Sequence, residues 1–336
     1  MTGRTGITED ELIARYFRPL AGEGGLALLD DAACLRPPPG QDLVVTADAL
    51  VAGVHFFPHD PADAIAWKAL AVNLSDLAAK GAEPLGYVLS LALPPGWTEG
   101  WMAGFAEGLR ACGEFGGCSL LGGDTVRTPG PLTLSITAFG LVPPGRMIPR
   151  TGARPDDALY VSGSIGDAAL GLMLRIAEEP RRKPLPWIAA LDAGGQEHLR
   201  ARYLRPQPRL ALRPALQAHA SGAMDVSDGL VGDISKMMAA SGVSAAVEIS
   251  RVPLSPAASA AVAADPAALT LAVTGGDDYE VLCSVPHAGC SAFEEAAARC
   301  GIPVARIGDV IAGDAPPSFS LGTRAMTFER GSFSHF

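Results

Sequence analysis

Aspartates recur in one kind of setting along the chain. "LLDDAA" holds Asp30 and Asp31, "VTADAL" holds Asp48, "NLSDLAA" holds Asp76 and "LGGDT" holds Asp124. "MDVSDGL" adds Asp225 and Asp228, and "TGGDDYE" adds Asp277 and Asp278. In each, small or apolar neighbours set the carboxylate near the end of a strand or helix. Taken singly, most have a plain structural explanation, because Asp is a common turn and N-cap residue. Asp76 differs. It falls inside a helical stretch where Asp is a poor helix former, on the same side as Asn73 and Lys80. A solvated helix face accounts for it as well as a site does. The recurrence points to a shared task. Mg²⁺ takes oxygen ligands, usually one or two carboxylates, and fills its shell with water and substrate phosphates. Dispersed carboxylates therefore suit several Mg²⁺ ions along a polyphosphate. No EF-hand loop is present.

Glycine-rich stretches accompany the acids at 121–125, 161–167 and 274–278, where backbone N–H groups could approach phosphate. A Walker-type G-x-x-x-x-G-K-[ST] is missing, as are the protein-kinase H-R-D and D-F-G signatures and a G-x-S-x-G elbow. Arg150 follows a Pro-rich turn, and "LRPQPR" holds Arg205 and Arg209. A guanidinium there could fork a phosphate. An ion pair between domains explains Arg205 and Arg209 equally. His55 in "AGVHFF" reads either as a packed ring or as a ligand contact.

The elements that must carry these residues can be read from periodicity. Thr8 with Glu11 forms a capping-box start for a short helix. "DLVVTADAL" reads as a strand, and residues 61–80 as an amphipathic helix with Trp67, Leu70, Leu74 and Leu77 on one side. "YVLSLALP" and "LTLSITAFGLV" read as strands flanking a helix at 98–115. The Pro- and Gly-rich run 141–157 marks a domain boundary, dividing the chain into 1–145 and 146–336. Beyond it "ALYVSG", "AAVEIS" and "YEVLCSVP" read as strands. "DAALGLMLRIAEE" and the stretch after Gly229 read as helices, and 180–209 as a connection with a short helix inside. Strands and helices mix without strict alternation, which predicts two α+β or mixed α/β domains.

A chain of 336 residues with 48% hydrophobic and 18% charged residues can bury real cores. Its 36 acidic against 26 basic residues argue against nucleic acid or an anionic membrane as partner. The acidic start lacks an apolar leader, and no apolar run is long enough to span a bilayer, so a cytoplasmic protein is expected. The six cysteines show neither CxxC nor zinc spacing and read as reduced thiols.

Taken in order, "DDAA", "TADALVAGVHF", "WKALAVNLSDLAAKGAEP", "LLGGDT", "PRTGARPDD", "YVSGSIGDAALGL", "YLRPQPR", "MDVSDGLVGD", "TGGDDYEVL" and "SFSHF" resemble the thiamine-monophosphate kinases of the aminoimidazole-ribonucleotide-synthetase-like superfamily. The likeness runs from residue 30 to 336. It implies transfer of the γ-phosphate of ATP to thiamine monophosphate. It also implies an N-terminal domain that binds ATP and forms a homodimer, and a C-terminal domain closing over the site. By motif, Asp31, Asp48, Asp76, Asp124, Asp225 and Asp228 match the family's Mg²⁺ ligands, with Thr46 and Ala47 adjoining. Gly123, Asp124, Arg150 and Ser227 match nucleotide contacts, with Asp76 and Arg150 assisting transfer. His55, Asp277 and Phe333 match positions beside the thiamine substrate. The chain departs from the family in reading "LDD" for "GDD", "TAD" for "TTD" or "STD", and "GGDD" for "GGED". Two alternatives stay open: another ATP-dependent member of the superfamily, or a non-catalytic nucleotide- and metal-binding regulator. Against the first, no cysteine precedes Cys34 and the chain ends in "HF" rather than a reactive cysteine.

Overall fold

The computed structural model describes residues 7–178, 185–329 and 331–332. Two compact units divide it: Met1–Leu77 with Ala82–Gly145, and Ala78–Gly81 with Arg146–Phe336. Phe333 and the rest of the "SFSHF" end beyond Ser332 lie outside the described residues.

In the first unit, helix α1 (Glu9–Leu12) opens on the expected capping box. The Glu11 N–H donates to Thr8 Oγ1 at 3.3 Å, and the Thr8 N–H donates to the Glu11 carboxylate at 2.8 Å. The chain then widens into a π-helical turn, Ile13–Phe17. Strand β1 (Asp42–Val51) is followed by helix α2 (Ala62–Ala79), strand β2 (Glu83–Leu93) and helix α3 (Glu99–Gly116). Strands β3 (Ser119–Arg127) and β4 (Thr133–Val142) complete a sheet of order β1-β4-β2-β3. "LGGDT", expected as a turn, lies wholly inside β3. A Cβ on Gly123 would meet the Leu89 carbonyl oxygen at 1.9 Å, so glycine there serves close strand pairing.

Helix α2 departs from the expected amphipathic pattern. Lys68, Asn73 and Ser75 are as buried as Leu70, Leu74 and Leu77. The helix is alanine-rich on its remaining sides, so it can be enclosed all round. Asn73 therefore does not share a solvated face with Asp76. Its Nδ2 donates to the Ala69 carbonyl at 3.0 Å. Helix α3 crosses α2 closely enough that a Cβ on Gly108 would lie 2.1 Å from the Asp63 carbonyl oxygen.

The second unit is built on a sheet of order β11-β10-β7-β9-β5-β8-β6. In chain order its elements are β5 (Asp157–Ser162), α4 (Asp167–Ala177), α5 (Ala193–Leu204), α6 (Arg213–His219), β6 (Gly222–Asp225) and α7 (Leu230–Ser241). They continue with β7 (Ser244–Glu248), α8 (Pro256–Ala264), α9 (Ala267–Thr274), β8 (Val281–Pro286), α10 (Cys290–Arg299), β9 (Val304–Ile311), β10 (Ser318–Leu321) and β11 (Arg324–Met326). Strand β5 is buried at every residue. Its alternate residues serve two cores, as period-two geometry requires. Leu159 and Val161 pack with Leu230, Ile234 and Met238 of α7. Ala158 and Tyr160 pack with Leu216 of α6 and Phe293 of α10. The expected connection at 180–209 holds a full helix, α5, whose N-cap Asp192 accepts from the Gly195 N–H at 2.7 Å. The short helix expected there is present and runs to 12 residues, Gly194 and Gly195 having lowered its apparent propensity. The fold class is the mixed α/β one expected. The cysteines are free thiols. Among the described residues no helix is long and apolar enough to cross a membrane.

The crossing of α2 and α3 yields a prediction. Gly→Ala inside an exposed helix ordinarily stabilises by about 0.5–1 kcal/mol. Gly108→Ala should instead lower stability by about 1–3 kcal/mol, because the new methyl meets backbone that cannot step aside. Urea unfolding of the full chain measures the change.

Candidate functional site

The first unit presents its acidic residues in two groups. Along β1, Val44, Thr46, Asp48 and Leu50 alternate inward, while Leu43, Val45, Ala47 and Ala49 are exposed on the other face. Thr46 Oγ1 donates to Asp76 Oδ2 at 2.5 Å, joining the strand to α2. Asp76, half-buried, is thus turned towards β1 rather than towards open solvent. Ala47 points away from this group, which leaves only its backbone as a possible ligand.

Asp31, Gly123 and Asp124 line a second feature, a cavity of about 290 Å³ that also meets Glu9, Phe17 and Gly25. Strand register separates the groups. Asp48 shares a row with Ile136, Leu89 and Gly123, whereas Asp124 shares the next with Ser90, Ser135 and Ala49. Adjacent rows face opposite sides of a sheet. The structure therefore brings Thr46 to Asp76 and Asp31 to Asp124, sets Asp48 and Asp124 on opposite faces of the sheet, and leaves Gly123 in the row of Asp48 at the cavity wall.

His55 sits in the turn that ends β1. Its Nδ1 accepts the Val51 N–H at 2.9 Å, and its carbonyl accepts from Lys68 Nζ at 3.1 Å. A backbone N–H can only donate, so the proton of the neutral ring resides on Nε2. The ring is held by its own turn and the backbone of His55 by the buried Lys68, a signal invisible in the isolated motif.

In the second unit "MDVSDGL" and "TGGDDYE" lie against one another. Asp225 ends β6 opposite Val281 of β8, and the pairing continues irregularly past it. Val226 donates to the Glu280 carbonyl, Tyr279 to the Val226 carbonyl and Asp277 to the Ser227 carbonyl, each at 2.8 Å. Asp277 and Tyr279 both take left-handed backbone, at φ 72° and 52°. Such conformations cost energy in a non-glycine residue and concentrate at functional sites. A Cβ on Gly229 would meet the Thr274 carbonyl oxygen at 2.5 Å, so this glycine serves the approach of the two loops.

Asp233, in the first turn of α7, is wholly buried and organises that loop. Its Oδ2 accepts the N–H groups of Ser227 and Asp228, both at 3.0 Å. Its Oδ1 accepts from Lys236 Nζ at 2.9 Å. Those two N–H groups consequently face Asp233, and Ser227 reaches a ligand only through its hydroxyl. Lys236 also bonds Asp228 Oδ2, at 2.5 Å. Burial pulls the ammonium down, but its two carboxylate partners hold it above its ordinary value.

The residue that sequence reasoning missed is Glu280. Its side chain is wholly buried and pairs with Arg202 at 2.9 Å. Arg209 forks it with Nε and Nη2, the former at 2.6 Å. Ser162 Oγ donates to it at 2.6 Å and in turn accepts the Val281 N–H at 2.8 Å. Arg209 is thereby spent inside the second unit, which corrects both readings offered for it, phosphate fork and interdomain pair. "VSGSIGD" is used internally as well. Asp278 accepts the Gly166 N–H at 2.8 Å, and burial pushes its carboxyl well above the usual range. Asp167 accepts from Ser164, Ser255 and His198 at 2.6, 2.5 and 3.0 Å. Arg150 lies exposed in a 3₁₀ turn.

Among the described residues, no three His, Cys, Asp or Glu side chains converge closely enough to hold a metal ion by themselves. The donors are hard oxygens, and Mg²⁺ needs only one or two carboxylates per ion. Asn73 Oδ1, one turn before Asp76, is a buried acceptor without a hydrogen-bond partner. The residues present fit Mg²⁺ held jointly with substrate phosphates and water.

Comparison with known proteins places this arrangement. Residues 29–142 match the AIR synthase related protein N-terminal domain, and 154–316 the corresponding C-terminal domain. The chain is 44% identical over 334 residues to thiamine-monophosphate kinase of Caulobacter vibrioides, covering 98% of this chain and 91% of that one. The crystal structure of thiamine-monophosphate kinase from Stenotrophomonas maltophilia superposes with a TM-score of 0.80 at 39% identity, covering 92% and 94% of the two chains. AaThiL complexed with AMPPCP and TMP superposes with a TM-score of 0.75 at 27% identity, covering 100% and 99%.

The buried carboxylate supports a stability prediction. Glu280→Ala leaves two guanidinium groups without their shared counter-charge and should cost about 3–5 kcal/mol. Ser162→Ala should cost about 1 kcal/mol, having removed one hydrogen-bonding hydroxyl. Denaturant unfolding that ranked the two equally would contradict Glu280 as the organising group.

Proposed function

This chain belongs to the AIR-synthase-related family and, within it, to the thiamine-monophosphate kinases, and from that premise we propose that it transfers the γ-phosphoryl group of ATP to thiamine monophosphate. The products are thiamine diphosphate and ADP. The observation that carries the reading is that curated kinases of this name align along nearly the whole chain, so both acidic half-sites are included.

The acceptor is a phosphate oxygen. A phosphomonoester carries a charge near −2 at pH 7, so it is already nucleophilic and needs no general base. The carboxylates therefore act as metal ligands. Asp31, Asp48, Asp76, Asp124, Asp225 and Asp228 hold Mg²⁺, joined by Thr46 through its hydroxyl oxygen and Ala47 through its carbonyl. Mg²⁺ bound there would neutralise the two anionic substrates and favour in-line transfer. Thr46 donates its hydroxyl hydrogen bond to Asp76, which leaves the hydroxyl lone pairs and the second Asp76 oxygen for other partners. Gly123, Asp124, Ser227 and Arg150 hold the nucleotide, with the guanidinium of Arg150 and the metal-binding Asp76 assisting transfer. His55, as an Nε2–H donor, and Asp277 hold thiamine monophosphate, with Phe333 stacking on one of its rings.

We assign ATP and Mg²⁺ binding and dimerisation to 1–145, and closure over the substrates to 146–336. The outward face of β1 supports the homodimer: Leu43 and Val45 are 43% and 54% exposed on an edge strand. Such an edge invites a second copy. The setting is cytoplasmic, with neither nucleic acid nor membrane as partner.

Two outcomes test the proposal. Asp76→Asn and Asp225→Asn should each abolish turnover while the circular dichroism spectrum stays unchanged; near-normal rates in both would sink the metal-ligand assignment. ADP release from Mg-ATP should depend on thiamine monophosphate. Equal release without the acceptor would turn the reading towards an ATPase.

A further inference from the structure

Lys236 lies in α7, one turn beyond Asp233, and its ammonium touches two carboxylates of different character. Asp233 is fully buried and cannot leave, because its other oxygen carries the N–H groups of Ser227 and Asp228. Asp228 is 38% exposed at its side chain and is bonded by the ammonium at one oxygen, Oδ2. The ion pair adds little as a stabilising contact, since exposed pairs are worth about 0–1 kcal/mol. It does place a positive charge 2.5 Å from an oxygen assigned above to a metal ion. A lysine head has three donors on a flexible stem, so it can drop one acceptor and keep the other.

Resting on the reading of Asp228 as a Mg²⁺ ligand, we propose that Lys236 is a tethered counter-cation for that carboxylate. In the metal-free protein it neutralises Asp228 and relieves repulsion among Asp225, Asp228 and Asp233. When a divalent cation takes Asp228, the ammonium withdraws to Asp233, where a bond already exists. Lys236 is thus a positioning residue that sets how readily the loop accepts metal. It competes with the ion instead of assisting it.

The test uses the full chain without nucleotide and Mn²⁺ as the probe, with free ion followed by electron paramagnetic resonance. Lys236→Met should bind Mn²⁺ about two- to five-fold tighter than the parent, and Lys236→Arg should match the parent. Asp228→Asn should weaken binding, and adding Lys236→Met to it should bring no further gain, as expected of coupled neighbours. In turnover assays the half-saturating Mg²⁺ concentration should fall by the same factor in Lys236→Met. Should that variant fail to fold, Lys236→Gln keeps a donor for Asp233 and carries the same expectation. Unchanged or weaker Mn²⁺ binding on removal of the charge, with Asp228→Asn still weakening it, overturns the inference alone. Unchanged binding in Asp228→Asn overturns the ligand assignment, and the inference with it.

Discussion

A carboxylate without exposure stays charged only when opposite charge and hydrogen bonds replace its water, and Glu280 is the group around which the second unit meets that demand. Arg202, Arg209 and Ser162 reach it from α5, from the turn before α6 and from the end of β5. The backbone carbonyl of Glu280 accepts the Val226 N–H, and Arg202 also bonds the Asp278 carbonyl at 3.3 Å. The same residue thus ties the arginine motif, the Gly-rich turn after β5 and the two acidic loops into one rigid body. A Cβ on Gly163 would lie 2.1 Å from a Glu280 carboxylate oxygen, so the glycine of that turn makes room for the carboxylate.

Once that hub is fixed, the aspartates divide by burial. Asp167, Asp233 and Asp278 are enclosed and satisfied by hydroxyls, backbone N–H groups, His198 or Lys236. Asp76, Asp124 and Asp228 keep exposed surface. The first set holds loops, whereas the second keeps surface open to solvent. Sequence grammar treats them alike because both sets occur beside Gly, Ser or Thr. Burial, which no local motif encodes, separates them. Two of the buried acids draw partners from distant segments, Ser255 lying 88 residues from Asp167 and Gly166 lying 112 residues from Asp278, while Asp233 is satisfied within its own loop and helix.

This explains what could be read in advance. The strands around Asp48 and the buried β5 were legible because alternation and β-branched runs are local signals, whereas β6, with only Gly222, Ala223 and Met224 before Asp225, carries neither. The capping box at Thr8 was legible for the same reason. Helix α2 was legible as a helix but not as a fully enclosed one, since alanine is compatible with either environment. Helix α5 was legible as a helix but not in its full length, because Gly194 and Gly195 have weak propensity that the Asp192 cap and packing on α4 override. The acidic motifs were legible as motifs, while the division of Asp48 and Asp124 between opposite faces of the first sheet was not. That division depends on β4 aligning β1 with β2, on β2 aligning β3, and on the register shift between Tyr87 and Val88.

Asp277, where the resemblance leads one to expect Glu, also has a physical context. Its backbone is left-handed, a region that Asp visits more easily than most residues because its short side chain can bond locally. Here that bond comes from Tyr279 Oη at 3.2 Å, and Tyr279 is itself left-handed. Two such residues flanking Asp278 send the middle carboxylate inward to Gly166 and turn its neighbours the other way. The strain is held by the three backbone bonds to Val226 and Ser227, which are in turn anchored by Asp233 and Glu280. Moving the carboxylate of residue 277 one methylene closer to the backbone therefore matches the conformation that the hub imposes on this loop.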